Sequence, residues 1–121
     1  MIRTLSVFAF YFLLSHTLAH ANDWTGTDTA FQVTYSIVHI LDWGQTLDIE
    51  NRPGIIETNP ILGEHPSRSD INIYMASTLI GHAVVSYALP QGWRRAWQAA
   101  GIGLELAMLG NNYRLGLRMG F

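Results

Sequence analysis

Four side chains capable of chemistry sit inside otherwise apolar stretches of the sequence: His39, Asp42, His82 and Glu105. Imidazole and carboxylate together form a ligand set that suits zinc, iron or manganese, and the same groups can relay protons. His39 and Asp42 stand three residues apart, which places them on one face of a helix, and Tyr35 and Thr46 extend that face at spacings of four. His39, Asp42, His82 and Glu105 are therefore the candidate metal ligands, with a divalent metal as the candidate cofactor. Thr46, Glu57, Asn59 and Asn112 join them as candidate binding residues, and Glu57, Asn59 and His65 are expected to cover the mouth of the site from a loop. A purely structural role for each group, a hydrogen bond that fixes helix packing, stands beside this chemistry.

The elements that must position these groups follow from hydropathy and punctuation. Ala30 to Leu47 reads as a helix, capped by Asp28 or Thr29, with Val33, Ile37, Ile40, Leu41 and Leu47 on the face opposite His39. Residues 48–68 are rich in acids and prolines. Asn59-Pro60 and His65-Pro66 predict turns, because the residue before proline is pushed out of the helical region. Ile55, Ile56, Ile61 and Leu62 are expected to pack this loop back onto the helices. Ser67 or Ser69 caps a second helix, whose stretch Ile71 to Leu89 carries no formal charge and has the length of a membrane span. Its residues Thr78, His82 and Ser86 share a face. Pro90-Gln91-Gly92 is a turn, and a third helix runs from about Trp93 to Leu115. There Gln98, Gly101, Glu105, Met108 and Asn112 form a stripe, and Trp93, Arg94, Arg95 and Trp97 predict an interface belt. The small residues Gly81, Ala83, Gly101 and Gly103 are expected to allow close helix contact.

Composition limits the classes of function. The chain has 121 residues, enough for one domain, and only 13% are charged, about half the share usual in a soluble domain. All seven basic residues are arginine, and the net charge of −2 argues against a nucleic-acid partner. The absence of cysteine removes disulfides, thiolate metal sites and cysteine nucleophiles. Outside the signal-like residues 1–21, where His16 and His20 stand four apart, no His-x-x-x-His is present, nor any Gly-x-Ser-x-Gly or phosphate-binding glycine loop, so no residue takes an assigned catalytic role.

Residues 1–21 have the layout of a secretory signal, with Arg3, an apolar run from Leu5 to Leu14 and Ala19-His20-Ala21. The alternative is an uncleaved first transmembrane helix. The expected fold is all-α: a small transmembrane bundle of three helices over residues 22–121, in the bacterial inner membrane. Arg52, Arg68, Arg114 and Arg118 fall on one side of it and Arg94 and Arg95 on the other, which orients the larger group toward the cytoplasm.

Asp42-x-x-Gln45-Thr46 at the end of one apolar segment, then Glu57-Thr58-Asn59-Pro60 and two more such segments, resembles small uncharacterised membrane proteins of bacteria and phages. The resemblance spans about residues 35 to 112 and implies an integral membrane bundle, with no activity attached. Three functions are compatible with these readings. One is binding of a metal ion or lipid head group in a buried polar cluster. The others are a metal-dependent membrane hydrolase, with Glu57 or Glu105 as base, and a non-enzymatic partner, such as a holin-like pore, a homo-oligomer or an accessory subunit.

Overall fold

A computed structural model describes residues 23–121, so the signal or anchor expected at residues 1–21 lies outside the described residues. The fold is three helices with no strand among the described residues: α1, Gly26–Leu47; α2, Arg68–Ala88; and α3, Gln91–Arg114. A short 3-10 turn, Asp48–Asn51, follows α1.

Each helix begins and ends for a local reason. Thr25 caps α1 and Ser67 caps α2, and in both cases an aspartate three residues on (Asp28, Asp70) bonds back to the cap's N–H. These reciprocal capping boxes satisfy two end donors at once. The first helix therefore starts four residues earlier than the apolar pattern alone suggests. Its first turn is polar, and only the Thr-x-x-Asp pairing marks it. Pro90 ends α2: Leu89 before it is extended, with ψ 143°, and α3 starts on the proline's other side. At the end of α3 the Gly116 N–H bonds the Tyr113 carbonyl and the Leu117 N–H the Asn112 carbonyl, both at 3.0 Å. This paired closure needs a left-handed residue, which Gly116 supplies at φ +93°.

Helix α1 lies along both partners and makes its longest contact with α3, whereas α2 and α3 touch each other least. The link of Leu89 and Pro90 makes α2 and α3 antiparallel neighbours. The loop between α1 and α2 turns at Asn59, whose side-chain oxygen accepts from the Ile61 N–H at 2.9 Å. Of its apolar residues only Leu62 reaches the interhelical cleft, while Ile56 and Ile61 are exposed. The expected packing of this loop is thus partial.

After α3 the chain folds back beneath α1. Leu117 is buried, the Gly120 N–H bonds the Gly44 carbonyl at 2.8 Å, and the Arg118 N–H bonds Asp48 Oδ2 at 2.9 Å. A side chain on Gly120 would lie 2.5 Å from the Asp48 nitrogen, so this contact requires glycine. The Arg118 N–H, together with Arg52, holds the Asp48 carboxyl below the usual range, against the opposing effect of burial.

Polar side chains outnumber apolar ones among the buried residues. Among the described residues, eleven polar or charged residues are buried against seven apolar ones. Outside, Ile73 (64%), Ile80 (65%) and Leu104 (64%) are well exposed, as are Val33, Ile37, Ile40 and Leu41. Leu47, expected on that outer face, is instead buried with Ile71 and Met75 at the loop end, because α1 closes there against α2. No helix among the described residues is long and apolar enough to cross a membrane. The all-helical fold is as expected, but the expected transmembrane spans are not supported: each helix exceeds twenty residues, yet buried and exposed polar residues together keep its hydropathy too low.

Candidate functional site

Two polar clusters fill the space between the helices. The first lies where α1 and α3 begin and is built on Arg94, which is fully buried. Its Nε donates to the Ser86 carbonyl at 2.7 Å, and Nη1 to Asp28 Oδ2 at 3.1 Å. Nη2 donates to Asp23 Oδ1 at 2.8 Å and to the Leu89 carbonyl at 2.9 Å. Trp24 stacks on Tyr87 and lies under the guanidinium, 4.9 Å from ring centre to Cζ. Gln98 donates to the Asp28 carbonyl at 3.1 Å, and Gln32 accepts from Ser86 at 2.8 Å. Arg94 is therefore not part of the interface belt expected of it; it ties all three helices together. Trp93, Arg95 and Trp97 of that belt do remain exposed.

The second cluster floors a cleft of about 860 Å³ between α2 and α3, with α1 beneath it and residues 57–62 at one end. All eight candidate binding residues line it: His39, Asp42, Thr46, Glu57, Asn59, His82, Glu105 and Asn112. Helical spacing brings the α1 members together, since Tyr35, His39, Asp42 and Thr46 are all buried on one face. His65 does not join them. It is exposed, in a separate depression with Ile49 and Pro66, because the turn at Asn59 carries the chain away from the cleft before residue 65.

His39 organises the floor. Its Nε2 lies 2.9 Å from the Met75 carbonyl oxygen, which can only accept, so Nε2 carries a proton. Nδ1 lies 2.8 Å from Glu105 Oε1. That contact needs one further proton, on the imidazole or on the carboxyl. Asp42 stands beside Glu105 and accepts from Asn112 Nδ2 at 2.7 Å. Thr46 turns its hydroxyl back to the Asp42 carbonyl at 2.9 Å, which shapes the helix rather than the ligand space. His82 is held by Gln32 Nε2, 3.2 Å from Nδ1, and is stacked between Tyr35 (3.4 Å between centroids) and Trp97 (5.1 Å). With Nδ1 accepting from the amide, Nε2 is the protonated nitrogen.

Two polar atoms of this floor, Glu105 Oε2 and His82 Nε2, are buried without a hydrogen-bond partner. Groups of this kind usually find partners in protein, water or ligand, so their presence at a cleft marks a place to be filled.

The expected four-residue metal set is not realised. No group of three or more His, Asp or Glu side chains among the described residues is arranged to hold a metal ion. His39 has one nitrogen committed to a backbone carbonyl and the other to Glu105, and His82 has one committed to Gln32, so neither ring offers the cleft a free lone pair.

Of the three glycines expected at helix contacts, Gly101 serves. A methyl group there would lie 2.7 Å from His82 Nε2 and 3.0 Å from the Tyr35 ring, whereas Gly81 and Gly103 face open space. The seat of the C-terminal segment on Gly44 and the partnership of Arg94 with Asp28 are features that sequence reasoning missed. The Thr25-x-x-Asp28 box was the available signal for the position of Asp28.

No protein-family model, curated protein or solved structure matches this chain.

Proposed function

We propose that this chain is a small membrane-embedded helical bundle that holds the polar head of an amphiphile in the cleft between α2 and α3. The observation that carries this reading is the cleft itself: about 860 Å³, with a floor of His39, Asp42 and Glu105 and walls that include Val85, Leu104 and Met108. That volume is far larger than a single ion needs, and apolar walls above a few convergent polar groups are the usual make-up of a small-molecule site.

Support for lipid as the surrounding solvent comes from the polar side chains of the interior. Helices of 21–24 residues extend roughly 31–36 Å at 1.5 Å per residue, the thickness of a bilayer's hydrocarbon core. Many of their outward residues are apolar, Ile37, Ile73, Ile80 and Leu104 among them, and buried polar groups pair across helices, as hydrocarbon surroundings favour. The resemblance to small bacterial and phage membrane proteins, with the bacterial inner membrane as location, belongs to the same reading.

The test is to extract the protein in mild detergent, reconstitute it in lipid nanodiscs and record native mass spectra. The expected result is one retained amphiphile per chain, lost when Gly101→Leu narrows the cleft. A wild type that keeps no amphiphile, or a protein released from membranes at alkaline pH, refutes the reading. The exposed, uncovered Gly81 and Gly103 favour a second reading, in which these faces pack on another copy or a membrane partner. Crosslinking in native membranes that yields only monomer would remove it.

A further inference from the structure

We propose that the head group held in the cleft is cationic, an alkylammonium rather than a phosphate or a sugar. This inference rests on the amphiphile reading above and assigns its chemical class.

Apart from the two histidines, the ionisable groups of the cleft floor and mouth are acids. Asp42, Glu57 and Glu105 face it, and no arginine is among its lining residues. The arginines of the described residues are engaged elsewhere. Arg94 and Arg95 meet Asp28 and Arg52 meets Asp48, while Arg68 pairs with Glu50. Arg114 donates to Asn111, and Arg118 to the Tyr113 and Leu117 carbonyls. A proton shared by His39 and Glu105 neutralises that pair, and Asp42 beside Glu105 and Glu57 at the loop end are the remaining acids. Glu105 is 8% exposed, and its Oε2 has no donor from the protein. A buried carboxyl oxygen without a donor is a costly group, and a cation is the ligand that relieves it most.

The walls add a second handle. Tyr35, Tyr74 and Trp97 line the same cleft, and aromatic faces attract ammonium groups strongly where water is scarce. A phosphate head would find the opposite: carboxyls nearby and none of the guanidinium forks that recognise it.

The experiment places the full chain in nanodiscs of zwitterionic lipid and titrates three dodecyl amphiphiles with brominated chains, bearing a primary ammonium, a maltoside or a phosphate head. Bromine quenches nearby indole, so the readout is the quenching that disappears in Trp97→Phe. The ammonium compound is expected to bind about tenfold more tightly than the maltoside, with the phosphate weakest. In Glu105→Gln, checked for an unchanged helical spectrum, the ammonium preference should fall about tenfold while maltoside binding stays the same. Equal affinity for all three heads, or tightest binding of the phosphate, overturns the cationic assignment and leaves the amphiphile site standing. Loss of Trp97 quenching with every head overturns both.

Discussion

Arg94 and Glu105 are both charged residues of α3 turned toward α1, and the protein treats them in opposite ways. Around Arg94 the bundle is closed: a fully buried guanidinium makes four hydrogen bonds, two of them to carboxylates and two to carbonyls. Around Glu105 it is left open, with one carboxyl oxygen on His39 and the other on no donor. The difference separates scaffold from site. Where a buried charge is fully partnered it fixes the helices, and on the proposed reading one that stops short beside a large cleft is completed by a ligand.

The comparison breaks most readily at Arg94. Arg94→Ala takes from Asp28 its closest cation and leaves it Arg95 at 3.5 Å and the Thr25 N–H, and removing one member of a buried pair costs about 3–5 kcal/mol. A loss on that scale should leave little folded protein, seen as a collapsed thermal transition in detergent. A variant that melts within a few degrees of wild type would show that the cluster is not what ties the bundle.

Gly101→Val tests the other half. The added methyl groups would press on His82 and Tyr35, and overpacking of this kind costs about 1–3 kcal/mol. The protein should still fold, and the Trp97 fluorescence should shift as the stack on His82 moves. An unaltered spectrum would mean that the cleft wall is slack.

The smallest effect is expected at Asp48. Its folded-state pKa lies below the ordinary carboxylate value, so its contribution is present above about pH 4 and is lost as pH falls through the folded value. Asp48→Asn should therefore make the C-terminal segment easier to clip with protease near neutral pH. The difference from wild type should vanish in acid. Equal digestion at neutral pH would show that Asp48 does not hold that segment.

The two regions also differ in how well the sequence announces them. The cleft floor is legible because its α1 members obey helical spacing, so the intervals between Tyr35, His39, Asp42 and Thr46 are enough to put all four on one face. Glu105 and Asn112 follow from the polar stripe of α3. The Arg94 cluster is not legible in this way. An arginine between tryptophans at the start of a helix has the composition of an interface belt, and its partners Asp28 and Asp23 lie 66 and 71 residues away. Nothing local connects them. The metal set fails for a related reason: spacing reports which residues share a face, but not that the ring nitrogens of His39 are already taken by Met75 and Glu105.

The joint at Leu89 and Pro90 has one more consequence. Because α2 and α3 meet there through two residues and are secured by Arg94, they are joined directly at one end only. The joined end of the cleft lies beside His82 and Trp97, and Asn112 and the turn at Asn59 line the other. A long molecule would thus be admitted from the Asn59 end, and the span between α2 and α3 there sets the bulk that can pass.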